Sequence, residues 1–479
     1  MSYSKSTARA RPEPTPADRA SRRAFWVLSA MLVLAALFGG ASRADESAQA
    51  VVRAGMAALL AVLVLVGRPA EWRSLRLPLL FVAVLALVMA AMLVPLPPQM
   101  WTALPGRALF AQAAPLAGLP QPWRPLAIAP PLGYNALFAL IPPAAVLIGL
   151  VFLTPADRLR LAGPVLGLIV ASAVLGVAQV SGGADSALRW YAVTNRESGV
   201  GFFANRNHQA LFLAAGFPIL ALWAGSGADR WLTRELRVWL AGGFGLLLVV
   251  ALLTTGSRAG LIVGAIALVG TIALHGAALL AILRRMAPRL RWMVLGGAVA
   301  GVVALTAVAL ASPQARSIVR LFTLNIADDT RVKALPTLQR VFGTYFPSGT
   351  GFGGFEPAFR AAEPDELLRL TYLNEAHNDY LQLAIEGGAV GLALLAAFIV
   401  WWGIGAVAAL RMRAGHAAIA EEAIAAARAG ALVILLVMVA SAADYPIRTP
   451  LMMVLTVIAA AWTVLPRASV DTGVPLYDR

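Results

Sequence analysis

Long apolar segments alternate with short polar ones along almost the whole chain. Most of the apolar segments are about 17 to 25 residues long, which is the length that a helix needs to cross a hydrocarbon layer of about 30 Å. They predict helical spans at residues 24–41, 50–67, 77–96, 133–153, 161–180, 208–225, 237–254, 259–283, 293–312, 388–410, 428–443 and 450–466. The pattern therefore predicts an all-α, polytopic membrane protein with about 12 transmembrane helices.

Composition supports this class and excludes several chemistries. The 479-residue chain is 59% hydrophobic and only 13% charged, whereas soluble domains are about 25% charged. The absence of cysteine excludes thiol catalysis, disulfide bonds and cysteine-ligated metal. A net charge of +15 could suggest nucleic acid, but in a membrane protein arginines first serve to set the orientation of the spans. We therefore expect no nucleic-acid partner.

Basic residues concentrate in the short connections on one side of the predicted spans. If the N-terminus is inside, these cytoplasmic connections are "GRPAEWRSLR", "TPADRLR", "SGADRWLTRELR", "RRMAPRLRW" and "RMRAGHAAIAEEAIAAARA", as the positive-inside rule expects. Residues 1–23 are polar and basic and are predicted to form a disordered cytoplasmic arm. Because no cleavage site follows, the first apolar segment is expected to be retained as a helix. The membrane domain then covers residues 24–466, and residues 467–479 form a cytoplasmic tail.

The opposite, outer side carries the longer connections. Residues 97–132 are rich in proline and tryptophan, which is typical of an irregular interfacial loop. Residues 181–207 form a second long connection. Residues 313–387 contain basic residues, acidic clusters and a glycine-rich turn, and they are too numerous for a plain connection. We predict that this segment forms a helical periplasmic lid before the tenth span.

Polar side chains with chemical potential cluster on the same outer side. The stretch "FFANRNHQALFL" opens the sixth span, "TTGSRAGL" joins the seventh and eighth, and "SGTGFGGFEPAFR" and "NEAHNDYLQLAIEGG" precede the tenth. The residues they contribute are Asn205, Arg206, Asn207, His208, Ser257, Arg258, Gly349, Gly351, Gly353, Gly354, Glu356, Arg360, Glu375, His377, Asn378, Asp379, Gln382 and Glu386. A weaker patch, "DYPIRTP", places Asp444 and Arg448 between the last two spans.

Each cluster also has an interpretation without a functional role. Arg258 could be a snorkelling arginine at a helix end, and Asn207 or Asn378 could cap a helix. The glycines match no phosphate-binding loop and predict a mobile turn. The pair Asp328 and Asp329 lacks further ligands at metal-binding spacing. We therefore expect neither a metal site nor a cofactor.

Arginines and a histidine at the outer ends of separate spans nevertheless indicate a common chemistry. Arg206 and Arg258 each precede an apolar span, and guanidinium groups beside helix N-termini favour phosphate oxygens. The charged group of a lipid-linked diphosphate lies at that depth. His377 is close in sequence to several carboxylates and could remove a proton from a sugar hydroxyl. These residue types allow glycosyl transfer without a metal ion.

The same residues resemble the O-antigen ligase and O-antigen polymerase superfamily of bacterial inner membranes. The resemblance rests on "FFANRNHQALFLAAGFPIL", "LLTTGSRAG", "GTGFGGFEPAFR" and "EAHNDYLQLAIEGGAVGLALL", and on "LVPLPPQMWTALPGR" with "RPLAIAPPLGYNAL", so it covers about residues 90–450. It implies a metal-independent, inverting membrane glycosyltransferase that takes a glycan from undecaprenyl diphosphate on the periplasmic face. His377 would be the catalytic histidine, and Arg258 and, more loosely, Arg206 would contact the diphosphate. Asn378, Asp379, Gln382 and Glu386 would support the histidine.

The acceptor distinguishes the alternatives within this class. A ligase passes the glycan to lipid A-core oligosaccharide, whereas an O-antigen or exopolysaccharide polymerase passes it to a second lipid-linked glycan. Ligase is the preferred prediction, and the lid residues 313–376 would carry acceptor specificity, where Arg340 and Arg360 could add charge to the site. A transporter or flippase is the alternative from another class, but transporters place ionisable residues at the bilayer midplane. In this chain the spans are almost free of charge, with His275 the main exception.

Overall fold

The computed structural model describes residues 15–226, 232–285, 330–368, 373–412 and 418–465, together with several residues between 287 and 300. The first helices are α1 (Pro16–Phe38), α2 (Ser47–Val66), α3 (Arg76–Ala91), α4 (Pro98–Trp101), α5 (Ala108–Leu116), α6 (Pro130–Phe138), α7 (Ile141–Leu150), α8 (Pro155–Arg160) and α9 (Ala162–Ser181). The remaining described helices are α10 (Arg206–Gly225), α11 (Arg234–Thr254), α12 (Arg258–Arg285), α13 (Thr330–Tyr345), α14 (Phe355–Ala362), α15 (Asp379–Arg411), α16 (Ala418–Ser441) and α17 (Pro450–Thr463). A single short antiparallel pair, β1 (Pro95–Leu96) with β2 (Arg124–Pro125), joins Pro95 to Pro125 within these residues.

The helices confirm the prediction of an all-α, multi-pass membrane protein. Within the described ranges, nine helices are long and apolar enough to cross a membrane, and Trp239–Thr254 and Pro450–Thr463 are shorter apolar helices. Together they account for every predicted span except 293–312, which lies largely outside the described residues. Large apolar side chains remain exposed on their outward faces, among them Leu65, Leu87 and Val400. Such a surface requires a lipid environment.

Two predicted spans differ in detail from the observed helices. The span predicted at 133–153 is divided into α6 and α7, because the consecutive prolines Pro142 and Pro143 lack the amide hydrogens that a continuous helix needs. The span predicted at 388–410 continues from a shorter helix that begins at Asp379. Gly388 separates the two parts with φ 55° and ψ −144°. A side chain at Gly388 would lie 2.1 Å from the carbonyl oxygen of Pro347, so only glycine fits this kink.

Helix α10 lies at the centre of the bundle. In its apolar segment, 94% of the residues are buried inside the protein. The helix packs against α9, α11, α12 and α16. Small residues allow these close approaches: a Cβ at Gly216 would lie 2.8 Å from a methyl group of Leu248 and 3.0 Å from one of Ile169. The polar N-terminus of α10 is therefore held in a fixed place at the end of the bundle.

At the opposite end of the bundle, Arg158 has a structural role. The sequence predicted only that arginines in these connections set the orientation of the spans. The fully buried Arg158 side chain pairs with Glu71 at 2.7 Å and donates to Ser74 Oγ. The indole of Trp462 donates to the backbone oxygen of Arg158 at 2.8 Å. The ion pair therefore fastens α8 to the segment before α3, and the indole hydrogen bond fastens it to α17.

The described part of the predicted lid is helical. Helices α13 and α14 pack on each other and on the start of α15 through Leu338, Val341, Phe355, Phe359 and Ile385. Residues 313–329 of the lid, including Asp328 and Asp329, lie outside the described residues, as do the terminal arms 1–14 and 466–479.

Candidate active site

The outer ends of the helices surround one polar cleft of about 420 Å³. Its wall is built from the connection after α1, the connection before α10 with the first residues of that helix, the first residues of α12, the first turn of α13, the segment before α15 and the connection between α16 and α17. The polar side chains that give it its character are Arg43, Arg206, Arg258, Arg331, His377 and Tyr445. The structure thus brings the three residues predicted for catalysis and diphosphate binding, His377, Arg258 and Arg206, into one cleft.

The N-termini of α10 and α12 are joined by hydrogen bonds beside the two predicted arginines. Asn205 Oδ1 caps α10 by accepting from the Asn207 amide at 2.8 Å. Ser257 Oγ accepts from the Gly260 amide at 2.9 Å and donates to Asn207 Oδ1 at 2.7 Å. The N-cap of α10 is therefore Asn205, whereas the sequence suggested Asn207. Two helix N-termini, each carrying a positive end of the backbone dipole, thus meet at the cleft.

Four arginines give the cleft a concentrated positive charge. Arg206 and Arg258 are the first residues of α10 and α12. Arg43, paired with Asp45 at 2.7 Å, and Arg331 from α13 also line the cleft, and the sequence analysis selected neither. A cleft of one sign of charge attracts an anion from solution.

The two arginines that the sequence proposed in the lid lie elsewhere. Arg340 is exposed on α13. Arg360 forms a surface ion pair with Glu356 at 2.8 Å. Neither lines the cleft, so among the described lid residues it is Arg331 that adds charge to the site.

His377 lies at the mouth of the short helix that begins α15. Its Nδ1 lies 3.1 Å from Asp444 Oδ1, and its ring packs on Tyr445 with ring centroids 4.8 Å apart. The side chain is 20% exposed and faces the cleft. Engagement of Nδ1 by the carboxylate leaves Nε2 as the nitrogen available to a substrate, which is the arrangement of an oriented histidine base.

Asp444 connects the histidine to the helix ends that carry the arginines. Its carboxylate also accepts from Asn205 Nδ2 at 3.3 Å and from Asn207 Nδ2, and Arg331 lies 3.8 Å away. Burial alone would raise the pKa of Asp444, but the hydrogen bond to His377 and the charges of nearby cationic groups lower it below its ordinary value. Asp444 is therefore an ionised partner for the histidine.

Sequence analysis placed Asp444 only in a weak patch. The signal available was an acidic residue in a short connection between two apolar spans, and its pairing with a histidine 67 positions away depends on helix packing.

The predicted supporting residues have separate tasks. Asn378 caps the helix by accepting from the Leu381 amide at 3.0 Å, as the sequence suggested. Gln382 Oε1 accepts from the Ala376 amide at 2.8 Å. Asp379 accepts from Ser441 Oγ at 3.0 Å. These bonds hold the backbone around His377, and none of these side chains lines the cleft.

Glu386 links the same helix to the glycine-rich turn of the lid. Its Oε1 accepts from the backbone amides of Gly353 at 3.1 Å and Phe355 at 3.4 Å. The backbone amide of Gly351 donates to the Glu386 carbonyl at 3.0 Å. The turn predicted as mobile is therefore anchored by hydrogen bonds, and its backbone amides donate to the Glu386 carboxylate.

Glu375 provides a pH-dependent contribution to stability. Burial, reinforced by the neighbouring carboxylates of Glu386 and Asp379 and opposed by Arg448, raises the pKa of Glu375 from 4.5 to about 7. The folded protein then binds a proton that the unfolded chain releases between these two pH values. The stabilisation from this group is complete below pH 4.5 and is lost as pH rises through 7, a change of about 3 kcal/mol.

We expect Glu375→Gln to flatten the decrease in apparent melting temperature between pH 5 and pH 8, measured on purified protein in one detergent. Glu366→Gln, which replaces an exposed lid carboxylate, should keep the wild-type slope. An unchanged slope in Glu375→Gln would contradict the raised pKa.

Within the described ranges, no group of three or more histidine, aspartate or glutamate side chains is arranged to hold a metal ion. The predicted alternative at Asp328 and Asp329 lies outside those ranges.

Comparison with known families gives a match over part of the chain. The model of a family described as O-antigen ligase matches residues 243–396. The matched part includes Arg258, His377 and the supporting residues on α15, and it excludes Arg206 and Asp444. No curated protein matches the chain.

The apolar helices and the family match support a multi-pass membrane protein with a glycan-processing function. The match confirms the resemblance to the O-antigen ligase and O-antigen polymerase superfamily that the sequence motifs predicted.

Proposed function

We propose that the protein is a membrane glycosyltransferase that moves a glycan from undecaprenyl diphosphate to an acceptor hydroxyl, and that it acts as an O-antigen ligase with lipid A-core as acceptor. The observation that carries this proposal is the convergence of Arg206, Arg258 and His377 on one cleft. An anion site and a histidine base within one cleft suit a diphosphate leaving group and a hydroxyl nucleophile.

In the proposed reaction, Arg206 and Arg258 bind the diphosphate of the donor together with the N-termini of α10 and α12. His377 Nε2 removes the proton of the acceptor hydroxyl while the hydroxyl oxygen attacks the anomeric carbon. The bond between that carbon and the phosphate oxygen breaks, and its electrons leave with undecaprenyl diphosphate. Attack opposite the leaving group inverts the anomeric centre. The charge of the leaving group is balanced by the arginines, so that the proposed reaction uses no metal ion or cofactor.

The membrane orientation in this proposal follows from the arginine-rich connections at the end opposite the cleft. Positive connections remain in the cytoplasm, so that the cleft opens to the periplasm of the bacterial inner membrane. Lipids of the outer leaflet would then present the donor diphosphate at the level of the helix ends.

Reconstitution tests the proposal directly. Purified protein in liposomes is mixed with undecaprenyl-diphosphate-linked glycan and either lipid A-core or no further acceptor, and the products are resolved by gel and mass spectrometry. Glycan attached to lipid A-core supports the ligase. Elongated lipid-linked glycan would instead identify a polymerase, and unchanged donor in both mixtures would contradict glycosyl transfer.

Asp444→Asn should reduce transfer about 10²- to 10⁴-fold, because an amide cannot both hold the Nδ1–H tautomer and stabilise the protonated ring. The measurement is the initial rate of product formation at saturating donor. Asp365→Asn, on an exposed lid position, is the matched control. A rate within about threefold of wild type would show that His377 works without this carboxylate.

A further inference from the structure

The backbone at His377 adopts a conformation that its side chain disfavours. Its φ is 50°, and among the described residues it is the single non-glycine residue with a positive φ. Few residues with a Cβ occupy this left-handed region, although histidine does so more often than most, and surrounding contacts help to hold it there. The turn that aims the candidate base therefore needs an explanation from its neighbours.

Arg448 binds carboxylates on both sides of that turn. It lies in the short 3₁₀ turn Pro446–Arg448 between α16 and α17. Its Nε is 3.4 Å from Glu375 Oε2 and 3.4 Å from Asp379 Oδ1, and its Nη2 is 3.1 Å from Glu386 Oε2. Glu375 and Asp379 stand two residues before and two residues after His377. One guanidinium group thus lies within ion-pair distance of the carboxylates on both sides of the histidine.

The connection between α16 and α17 supplies both contacts that define the position of the histidine. Asp444 holds the imidazole ring, and Arg448 holds the carboxylates that flank its backbone. The Asn378 side chain also donates to the Ala442 carbonyl at 3.0 Å. The ring and the backbone of His377 are therefore both held by contacts to the same seven-residue segment, 442–448.

We propose that Arg448 is a positioning residue that holds the His377 turn in its left-handed conformation by gathering Glu375, Asp379 and Glu386. The inference rests on the proposed function only in taking His377 as the group that meets the acceptor. Arg448 itself does not line the cleft, so it acts on the reaction through the histidine turn alone.

The chemistry of the cluster explains why arginine is required. Three buried or nearly buried carboxylates repel one another, and the guanidinium lies within ion-pair distance of all three while its Nη2 donates a hydrogen bond to Glu386. Lysine supplies a single point charge on a flexible chain and cannot bridge three partners in one geometry. Removal of the cation leaves carboxylates that repel on the two sides of His377. The turn would then relax toward an ordinary backbone conformation.

The test combines a chemical probe of His377 with transfer kinetics. Full-length protein in nanodiscs is treated with diethyl pyrocarbonate, and the rate of modification at His377 is read by peptide mass spectrometry for wild type, Arg448→Lys, Arg448→Met, Glu375→Gln and the control Arg340→Met. Glu375→Gln removes one flanking contact without leaving an unpaired buried charge, so that it reports even if the Arg448 variants fold poorly.

We expect the modification rate at His377 to change more than about threefold in Arg448→Met and Arg448→Lys, and in the same direction to a smaller extent in Glu375→Gln, while Arg340→Met matches wild type. In transfer assays, kcat should fall about 10²-fold in Arg448→Met, with KM for the donor within about threefold of wild type, because the arginines that line the cleft are unchanged.

Three outcomes distinguish this inference from the proposed function and from a purely structural role of Arg448. Wild-type modification rates at His377 in all folded variants would overturn the positioning role, whatever the activity. A changed modification rate with an unchanged kcat would leave Arg448 as the residue that positions the turn and would instead remove His377 from the reaction. A fall in folded protein with normal kcat per folded molecule and a normal modification rate would mean that Arg448 only stabilises the fold.

Discussion

Replacement of His377 by alanine is expected to reduce glycan transfer about 10²- to 10⁴-fold. The imidazole contacts Asp444 through Nδ1 and is the base of the proposed reaction, and alanine can neither accept the hydroxyl proton nor place a base at its position. The measurement is product formation by purified variant and wild type in the same liposomes, at equal amounts of inserted protein.

The control for this variant is His275→Ala, which removes another of the four histidines at a position that does not line the cleft. Membrane insertion of His377→Ala should be normal, because the residue lies outside the apolar part of the bundle. Wild-type transfer by His377→Ala would refute the catalytic assignment and leave the histidine with a structural role.

Replacement of Arg258 by lysine is expected to lower transfer about 10²- to 10³-fold, as removal of one donor to a developing anion does in other enzymes. Lysine keeps the positive charge at the first position of α12 but loses the planar pair of donors that match phosphate oxygens. Both donor affinity and kcat should fall, because the diphosphate gains charge as the glycosidic bond breaks.

Arg360→Lys is the matched control, since Arg360 makes an exposed ion pair with Glu356 on the lid. The rates are compared at several donor concentrations to separate kcat from KM. If Arg258→Lys transfers glycan as fast as wild type, Arg258 contributes only a positive charge at the membrane surface, and the predicted diphosphate contact is wrong.

The architecture was predictable because the solvent of the protein is lipid. A span must satisfy its backbone internally, so that each apolar segment of the right length becomes a helix. The kink before the tenth span was also predictable, because the consecutive glycines Gly387 and Gly388 follow a polar, capped segment. The division of the span at 133–153 does not follow from the hydropathy pattern, because Pro142 and Pro143 stand within a continuous apolar run.

The site was only partly predictable. Arg206, Arg258 and His377 could be selected because they stand at the outer ends of spans, and sidedness is encoded in the order of the helices. Arg43, Arg331, Asp444 and Arg448 could not be selected in the same way. Their roles arise from which helix ends are neighbours in the bundle, and a single sequence does not contain that information.

The enclosed position of α10 has a consequence for how the protein responds to its bilayer. Only 17% of the apolar segment within Arg73–Ala91 and 6% of the apolar segment within α15 is buried inside the protein. The corresponding share for α10 is 94%. Changes in hydrocarbon thickness are met by tilting of lipid-facing helices, and α10 has almost no lipid-facing surface. The level of the α10 N-terminus relative to the bilayer is therefore set by packing against the surrounding helices. In membranes of different thickness, lipid headgroups would move relative to Arg206, while Arg206 would keep its level relative to the rest of the cleft.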